Sequence, residues 1–257
     1  MNDKLQIDIR HKILQLVVSS REGHVASSFS IVEILIAIYT YLDQQGKGAE
    51  FPNHFILSKG HGAYALYGLM SELGLISDDE LSSVGQDGSY LIGHVPFNPQ
   101  RGFYVGTGSL GQGLPMALGR AYLRRQSRET TPDFVIVGDG EFNEGSIWET
   151  LMFMQKFPRS KIRVFIDNNL SSTRAIPMGK VFEALKVGWP TVEVDGHDVQ
   201  KMLQTIKEND TDENLIILAN TKKGFPLKVM NDPIWHHRVP TQLEADSFNF
   251  EIKEFFA

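Results

Sequence analysis

The sequence lacks cysteine and has no run of basic residues. With no cysteine among its 257 residues, it has no disulfide framework, thiolate metal site or cysteine nucleophile. The formal net charge is −6, which argues against a nucleic acid partner. The N-terminus shows no apolar leader, and we expect no apolar stretch near the roughly 18 residues of a membrane span. These absences predict a cytoplasmic protein with no membrane partner.

Enough apolar residues are present for a sizeable hydrophobic core. The chain is 42% hydrophobic and 22% charged, which fits one large α/β domain or two small ones. Apolar residues at helical spacing predict a helix over residues 4–20. Ser30, followed three positions later by Glu33, predicts a capping box at the start of a second helix that extends to residue 42.

Strand and helix signals alternate along the rest of the chain. Strand patterns lie at residues 55–57, 134–137, 164–166, 191–194 and 215–218. Helical patterns lie between them, at residues 63–73, 144–157 and 199–206. This alternation predicts an α/β fold, in which a parallel sheet is flanked by helices on both faces after a helical lead-in. Ligands of such sheets bind at the carboxyl ends of the strands.

Two oxygen-bearing side chains follow the clearest predicted strands. Asp139 stands between two glycines directly after one strand, and Asn169 follows the next strand 30 positions later. A single βαβ unit accounts for that separation and brings the two strand ends together. Carboxylate and amide oxygens suit Mg²⁺ or Ca²⁺, and a chain with few basic residues needs such a cation to bind a diphosphate.

At this point the sequence resembles the transketolase family of thiamine diphosphate enzymes over nearly its whole length. Those enzymes carry Gly-Asp-Gly followed some 25 to 30 residues later by Asn, a spacing that this chain matches. The resemblance extends to LSKGH, Gly-His-Pro, TGSLGQG, GDGExxEG, DGHD, TxKGKG and WHG motifs. Here the matching segments are LSKGHG at 57–62, GH at 93–94, TGSLGQG at 107–113, GDGEFNEG at 138–145, DGHD at 195–198, TKKG at 221–224 and WH at 235–236.

The resemblance implies a role for each matched position. The metal, Mg²⁺ or Ca²⁺, would be held by Asp139, Asn169 and the carbonyl of Ser171. Thiamine diphosphate would lie against residues His61, Gly108, Ser109, Leu110, Gly138, Asp139, Gly140, Glu141, Glu149, Asn169 and Ser171. The implied catalytic residues are His24, His61, His94, His236 and Glu144. Glu144 and Glu149 match carboxylates near the family's subunit interface, and the four histidines match those of its substrate channel. We expect His11, His54 and His197 to be structural or solvated.

The implied reaction is transfer of a two-carbon ketol unit from a ketose, or ketose phosphate, to an aldose. Imidazoles suit it because they exchange protons near neutral pH. The resemblance makes residues 1–257 a single diphosphate-binding and metal-binding domain. The resemblance implies that the pyrimidine-binding and C-terminal domains of the family lie on a different chain. We therefore expect a separately encoded partner subunit, an α2β2 assembly and no activity from this chain alone.

Three departures from the family motifs affect the expected substrate channel. The family's His-Pro-Gly is replaced by His24-Val25-Ala26, and Val95 separates His94 from the following proline. His237 stands where the family has the glycine of WHG. The expected metal ligands are unaffected, but sugar recognition is expected to differ.

Other interpretations remain open at the level of sequence. The enzyme could use a different donor, such as a 2-keto acid that is decarboxylated, or the chain could be a cofactor-binding subunit without turnover. Residues 106–111 formally match the GxGxxG pattern of nicotinamide-dependent dehydrogenases. However, only a short run containing Tyr104 precedes that match, so we disfavour dinucleotide binding. The sequence has no GxxxxGK[ST] or HExxH motif.

Overall fold

Five parallel strands form the centre of the fold in this computed structural model, which describes residues 2–172 and 177–257. The strands are β1 (Phe55–Leu57), β2 (Asp133–Gly138), β3 (Ile162–Asn168), β4 (Thr191–Asp195) and β5 (Leu215–Asn220). Their order across the sheet is β1-β2-β3-β5-β4, and every neighbouring pair is parallel. The predicted parallel sheet is therefore confirmed, with all five predicted strands in place.

Helices surround the sheet and include the expected N-terminal lead-in. In the described ranges they are α1 (Asn2–Ser20), α2 (Val25–Phe29), α3 (Val32–Gln44), α4 (Ala63–Glu72), α5 (Asp78–Ser82), α6 (Gly113–Gln126), α7 (Gly145–Lys156), α8 (Gly179–Gly188), α9 (Val199–Glu208) and α10 (Gln242–Phe255). Sequence analysis did not predict α2, α5 or α8. Helix α2 is only five residues long and contains two serines, which favour non-helical backbone. Helix α8 lies between glycines and buries few side chains, so its sequence signal is weak.

Side chains on adjacent positions of β1, β2, β3 and β5 enter different hydrophobic cores. In β2, Phe134 and Ile136 belong to the core beneath α1, α3, α4 and α9, whereas Val135 and Val137 belong to the core beneath α6 and α7. Successive side chains of a strand point to opposite faces, so a strand covered on both faces must be apolar throughout. The uninterrupted apolar run in β2 is explained by this double burial.

One apolar segment is longer than the sequence analysis expected. In the described part of the chain, Val25–Gln44 is long and apolar enough to span a membrane by composition, and 89% of its most apolar window is buried inside the fold. The expectation of no such stretch was wrong, because α2 and α3 are nearly continuous in sequence. Burial on all sides, by the sheet and neighbouring helices, explains the composition of this segment.

The predicted capping box at Ser30 and Glu33 is also wrong. Helix α3 begins at Val32, and its N-cap position makes no side-chain hydrogen bond. Ser30 Oγ instead donates to Asp167 Oδ2 at 2.8 Å, and Glu33 forms a fully buried ion pair with Arg10 at 2.6 Å. Both side chains are buried, and a buried polar group must have a hydrogen-bond partner. Here the fold supplies these partners from distant parts of the sequence, in place of the local capping interaction.

Arg163 is an anchor at the amino-terminal end of the sheet, remote from the carboxyl ends of the strands. Its buried guanidinium donates to the carbonyls of Glu213, Asn209 and Thr211 at 2.6, 2.8 and 2.7 Å. These bonds fix the connection between α9 and β5.

We expect Arg163→Met to lower the free energy of unfolding by roughly 3 kcal/mol, because it leaves several carbonyls without donors. Urea denaturation measures this change. The control is Lys161→Met, which removes another cation that contacts the same connection, but through one partly exposed ion pair, to Asp210 at 3.1 Å. It should cost at most about 1 kcal/mol. Equal losses in the two variants would contradict the anchoring role of Arg163.

Candidate active site

A cavity of about 730 Å³ lies at the carboxyl ends of β1, β2, β3 and β5. The predicted site residues that line it are His24, His61, His94, Gly108, Leu110, Gly138, Asp139, Gly140, Glu141, Asn169, Ser171 and His236. Among the described residues, Ser109, Glu144 and Glu149 are outside this lining. The predicted role of every one of these residues, inside or outside the lining, stays a prediction. The fold thus brings together residues that are more than 200 positions apart.

Asp139 provides a buried carboxylate at the end of β2. It is 3% exposed and accepts two long hydrogen bonds, from Ser171 Oγ at 3.4 Å and from the backbone N–H of Ser172 at 3.2 Å. Burial, together with the neighbouring Asp167 carboxylate, raises its pKa. A desolvated carboxylate with weak partners is suited to bind a cation.

Asn169 lies beside Asp139, in the turn after β3. Its Nδ2 donates to Asp167 Oδ2 at 2.9 Å, and its Oδ1 accepts the backbone N–H of Ser171 at 3.1 Å. Leu170, between them, has a left-handed φ of 59°, which produces the tight turn. The amide oxygen has a second lone pair and is thereby oriented as a potential metal ligand.

Few side chains around Asp139 and Asn169 can serve as metal ligands. In the described ranges, no group of three or more histidine, aspartate or glutamate side chains is arranged to hold a metal ion. A site built from one carboxylate, an amide oxygen and a backbone carbonyl leaves most positions of a hard cation to other oxygen ligands. Such a set suits Mg²⁺ or Ca²⁺ bound together with phosphate groups better than a zinc site.

Lys59 and Asp167 form an ion pair beneath the cavity floor that sequence analysis did not identify. The two side chains are in direct contact and almost completely buried. Lys59 Nζ also donates to the Ser27 carbonyl at 2.8 Å and to Ser30 Oγ at 2.9 Å. Burial alone would raise the pKa of Asp167, but the Lys59 charge and the donated hydrogen bonds outweigh it and hold that pKa below its usual value. The signal available in the sequence was a lysine shortly after the apolar strand β1 and an aspartate near the end of the apolar strand β3.

Glu141 connects three loops around the cavity. One carboxylate oxygen accepts Ser58 Oγ at 2.5 Å and the backbone N–H of Gly111 at 2.9 Å, and the other accepts the N–H of Gly138 at 2.8 Å. The side chain is 1% exposed, and burial raises its pKa. Because both oxygens already have protein donors, Glu141 holds the loops in register around the cavity.

Gly108 and Gly111 of the TGSLGQG segment need to be glycine for different structural reasons. Gly108 has a φ of 130° and faces open space, since the nearest neighbour of an added Cβ would be His94 at 4.0 Å. At Gly111 an added Cβ would come within 2.5 Å of Ser146 Oγ. Residues 103–105 form no strand of the described sheet, so the strand–turn–helix context of a dinucleotide-binding motif is missing.

Five imidazoles gather in the same cavity. The ring centroid of His24 lies 5.6 Å from His61, 5.7 Å from His94, 5.3 Å from His236 and 4.6 Å from His237. Four of these histidines were predicted site residues. His237 was identified only as a departure from the family motif, but its ring lines the same cavity.

Burial and neighbouring positive charge keep three of these imidazoles, those of His24, His61 and His236, neutral at neutral pH. Burial, with the other histidines, lowers the pKa of His24 to about 4, and burial with Lys223 lowers that of His236 to about 4. Burial and Lys59 lower the pKa of His61. Lys223 Nζ lies 2.8 Å from His236 Nδ1, which must accept this bond, so the His236 proton is assigned to Nε2. At neutral pH the cavity therefore offers imidazoles that can accept protons.

Comparison with known proteins agrees with this architecture. Residues 2–242 match the family described as transketolase, thiamine diphosphate binding domain. An apulose-4-phosphate transketolase subunit of Actinobacillus succinogenes is 32% identical over 96% of this chain and 94% of its own length. The 6-deoxy-6-sulfo-D-fructose transketolase subunit SqwG of Clostridium sp. strain MSTE9 is 30% identical over 85% of this chain and 86% of its own length.

A solved structure shares the fold at lower identity. The transketolase from Leishmania mexicana superposes with a TM-score of 0.82 and 22% identity, over 100% of this chain but 41% of that protein. The match to the family over residues 2–242, together with a relative of similar length at 32% identity, shows that this chain belongs to the transketolase family, as its thiamine diphosphate binding domain.

Proposed function

We propose that this chain is the cofactor-binding subunit of a split transketolase, which transfers a two-carbon ketol unit from a ketose or ketose phosphate to an aldose. The observation that carries the proposal is a single cavity that is lined both by a weakly bonded buried carboxylate and by five imidazoles. The carboxylate suits a metal-bound diphosphate, and the imidazoles suit proton exchange with sugar hydroxyl groups.

The residues around Asp139 fit Mg²⁺ or Ca²⁺ bound together with thiamine diphosphate. Asp139, the amide oxygen of Asn169 and the carbonyl of Ser171 would hold the metal. Gly140 leaves room for a diphosphate, since an added Cβ would meet its nearest neighbour, Ser172, only at 4.0 Å. Gly108 is similarly open. When bound, the cofactor supplies a centre that stores the carbanion formed on the donor sugar.

The imidazoles supply the proton transfers that ketol transfer requires. Breaking and forming carbon–carbon bonds next to hydroxyl groups needs a base that removes a proton and then returns it. His24, His61 and His236 have pKa values below the usual range, so at neutral pH each ring is uncharged, with one nitrogen that donates and one that accepts a hydrogen bond. Lys223, held against His236, places positive charge where oxygen atoms of the substrate become negative.

Chain length and surface character support a separate partner. The chain spans nearly all of the Actinobacillus succinogenes relative, which is itself named as one subunit of a transketolase, but 41% of the Leishmania mexicana transketolase. Apolar side chains are exposed in and beside the cavity wall, with Leu110, Leu170 and Ile234 at 40%, 57% and 62% exposure. Exposed apolar groups around a binding site are typical of a surface that another chain covers. We propose an α2β2 assembly in the cytoplasm, in which the partner carries the pyrimidine-binding and C-terminal domains.

The partner requirement gives the first testable prediction. Thiamine diphosphate with Mg²⁺ should bind weakly to this chain alone, and more tightly once the transketolase C-terminal subunit of the same genome is added. Turnover of xylulose 5-phosphate with an aldose acceptor should appear only in the mixture. Titration calorimetry and a coupled assay measure the two effects.

The other outcomes of this experiment are also informative. Partner-dependent binding without turnover would retain the cofactor site but indicate another donor, such as a 2-keto acid. Full turnover by this chain alone would contradict the split enzyme. Absence of cofactor binding under both conditions would overturn the proposal.

The metal site gives the second prediction. Asp139→Asn should weaken Mg²⁺-dependent binding of the cofactor by at least about a hundredfold, because the only charged ligand is lost. The cofactor-free variant should be at least as stable as the wild type at neutral pH, since burial raises the pKa of Asp139 and makes its ionised form unfavourable. Thermal unfolding with and without cofactor measures both effects.

A matched control lies on the same strand. Asp133 is a buried carboxylate at the other end of β2, paired with Arg120 at 2.7 Å. Asp133→Asn is expected to change stability while leaving the affinity for cofactor and metal unchanged. Equal weakening of cofactor binding in the two variants would contradict the assignment of Asp139.

The neutral imidazoles give the third prediction, a loss of stability in acid. His24 and His236 take up protons near pH 4 in the folded chain and near pH 6.5 when unfolded. Through these two side chains the unfolded state binds about two more protons at pH 5, so the free energy of unfolding should fall as the pH drops from 6.5 to 4. Urea denaturation at pH 7.5 and 5 tests this. His236→Asn should reduce the fall, and an unchanged fall would contradict the prediction.

A further inference from the structure

His197, expected to be structural or solvated, makes three specific contacts at the end of β4. Its ring stacks on Phe225, with centroids 3.8 Å apart and planes inclined by 17°. Its Nε2 accepts the backbone N–H of Lys222 at 2.8 Å, and its Nδ1 lies 3.0 Å from Glu33 Oε2. Only 9% of the side chain is exposed. Both ring nitrogens and one ring face are therefore engaged.

These contacts assign the proton of His197. Because Nε2 accepts a hydrogen bond from an N–H group, the proton of the neutral ring is on Nδ1 and is donated to Glu33. Glu33 is held in turn by Arg10 at 2.6 Å, and Arg10 Nε donates to the carbonyl of Phe225 at 3.0 Å. Arg10, Glu33 and His197 thus form a buried chain that ends at the Lys222 amide. We call it the Arg10–Glu33–His197 chain.

The Lys222 amide belongs to a segment that forms one wall of the active-site cavity. Thr221, Lys222 and Lys223 follow β5 and all line the cavity. The hydroxyl of Thr221 donates to Asp167, and Lys223 Nζ lies 2.8 Å from His236 Nδ1. The backbone N–H of Lys222, between these two side chains, is held by Nε2 of His197. The position of this backbone therefore decides whether Lys223 reaches His236.

We propose that His197 is a positioning residue of the active site. Through its Nε2 it fixes the backbone of Lys222, and this aims Lys223 at His236 and at the bound substrate. The role in turnover rests on the transketolase function proposed above, whereas the positioning itself is a property of this chain. His197 does not line the active-site cavity and acts through Lys222 and Lys223.

Two substitutions distinguish the roles of the two ring nitrogens of His197. His197→Gln places an amide oxygen near the position of Nε2 and retains an acceptor for Lys222. His197→Asn places an amide nitrogen near Nδ1 and retains a donor for Glu33, but it loses that acceptor. Met202→Ala is the control for stability, because Met202 is a fully buried side chain of the adjacent helix α9.

The first readouts use this chain alone and do not depend on turnover. In His197→Asn, hydrogen exchange at the Lys222 amide should accelerate by about tenfold or more, whereas His197→Gln should stay close to the wild type. The NMR titration of His236 should move toward higher pH in His197→Asn, because Lys223 no longer lies against its Nδ1. Met202→Ala should show neither change.

With the partner subunit present, the same variants test the effect on the reaction. His197→Asn should raise KM for the donor sugar or lower kcat by about tenfold, His197→Gln should largely restore the wild-type value, and Met202→Ala should leave both unchanged. If the wild-type mixture does not turn over the donor, the proposed function fails, but exchange at Lys222 still tests the positioning.

Several results would overturn the proposal. One is equal behaviour of the Asn, Gln and Met202 variants in exchange and in the His236 titration, which would make His197 merely structural. Another needs no substitution: ¹⁵N NMR of the wild-type imidazole at neutral pH should show the proton on Nδ1. A charged ring, or a proton on Nε2, would contradict the proposal even if a variant failed to fold.

Discussion

The ion pair between Lys59 and Asp167 is the interaction on which the rest of the active site depends. The pair joins the end of β1 to the end of β3, and Asp167 also accepts hydrogen bonds from Ser30, Asn169 and Thr221. Removing two such charges from water costs several kcal/mol per ion, so stability alone is a weak explanation for the pair. The position of the pair explains it better. The Asp167 carboxylate holds the side chain of Asn169, the expected metal ligand. It also holds Thr221, where the segment that carries Lys222 and Lys223 begins, and Ser30, in the turn before α3.

Asp139 and Asp167 show how the surroundings give two neighbouring carboxylates different functions. Asp139 follows β2 and Asp167 lies in the adjacent strand β3, where it is paired with Gly138. Asp167 is surrounded by donors and a lysine, which hold its pKa low, whereas the two hydrogen bonds that Asp139 accepts from Ser171 and Ser172 are long and its pKa is raised. The first is thus a permanent structural anion, and the second is suited to the metal proposed above. The neighbouring negative charge of Asp167 would add to the attraction of a cation to Asp139.

The strands and the cavity residues could be predicted because their signals are local. Continuous apolar runs mark strands that are buried on both faces, and motif positions fall at strand ends. The roles of Glu33 and His197 could not be predicted, because their partners are distant: Glu33 lies 164 positions from His197 in the sequence. The same spacing of Ser30 and Glu33 that favours a capping box is used here for tertiary contacts. Local patterns thus fail where buried polar residues find partners only after the sheet has formed.

The carboxylates of the cavity also define what a partner must contribute. Among the described residues that line the cavity, the only two with carboxylates are Asp139 and Glu141. Glu141 has both oxygens occupied by protein donors, and Asp139 is placed for a cation. Neither is available to exchange a proton with the aminopyrimidine ring of thiamine diphosphate. We therefore expect the acidic side chain for that ring to come from the partner subunit proposed above, which would cover the exposed apolar side chains beside the cavity.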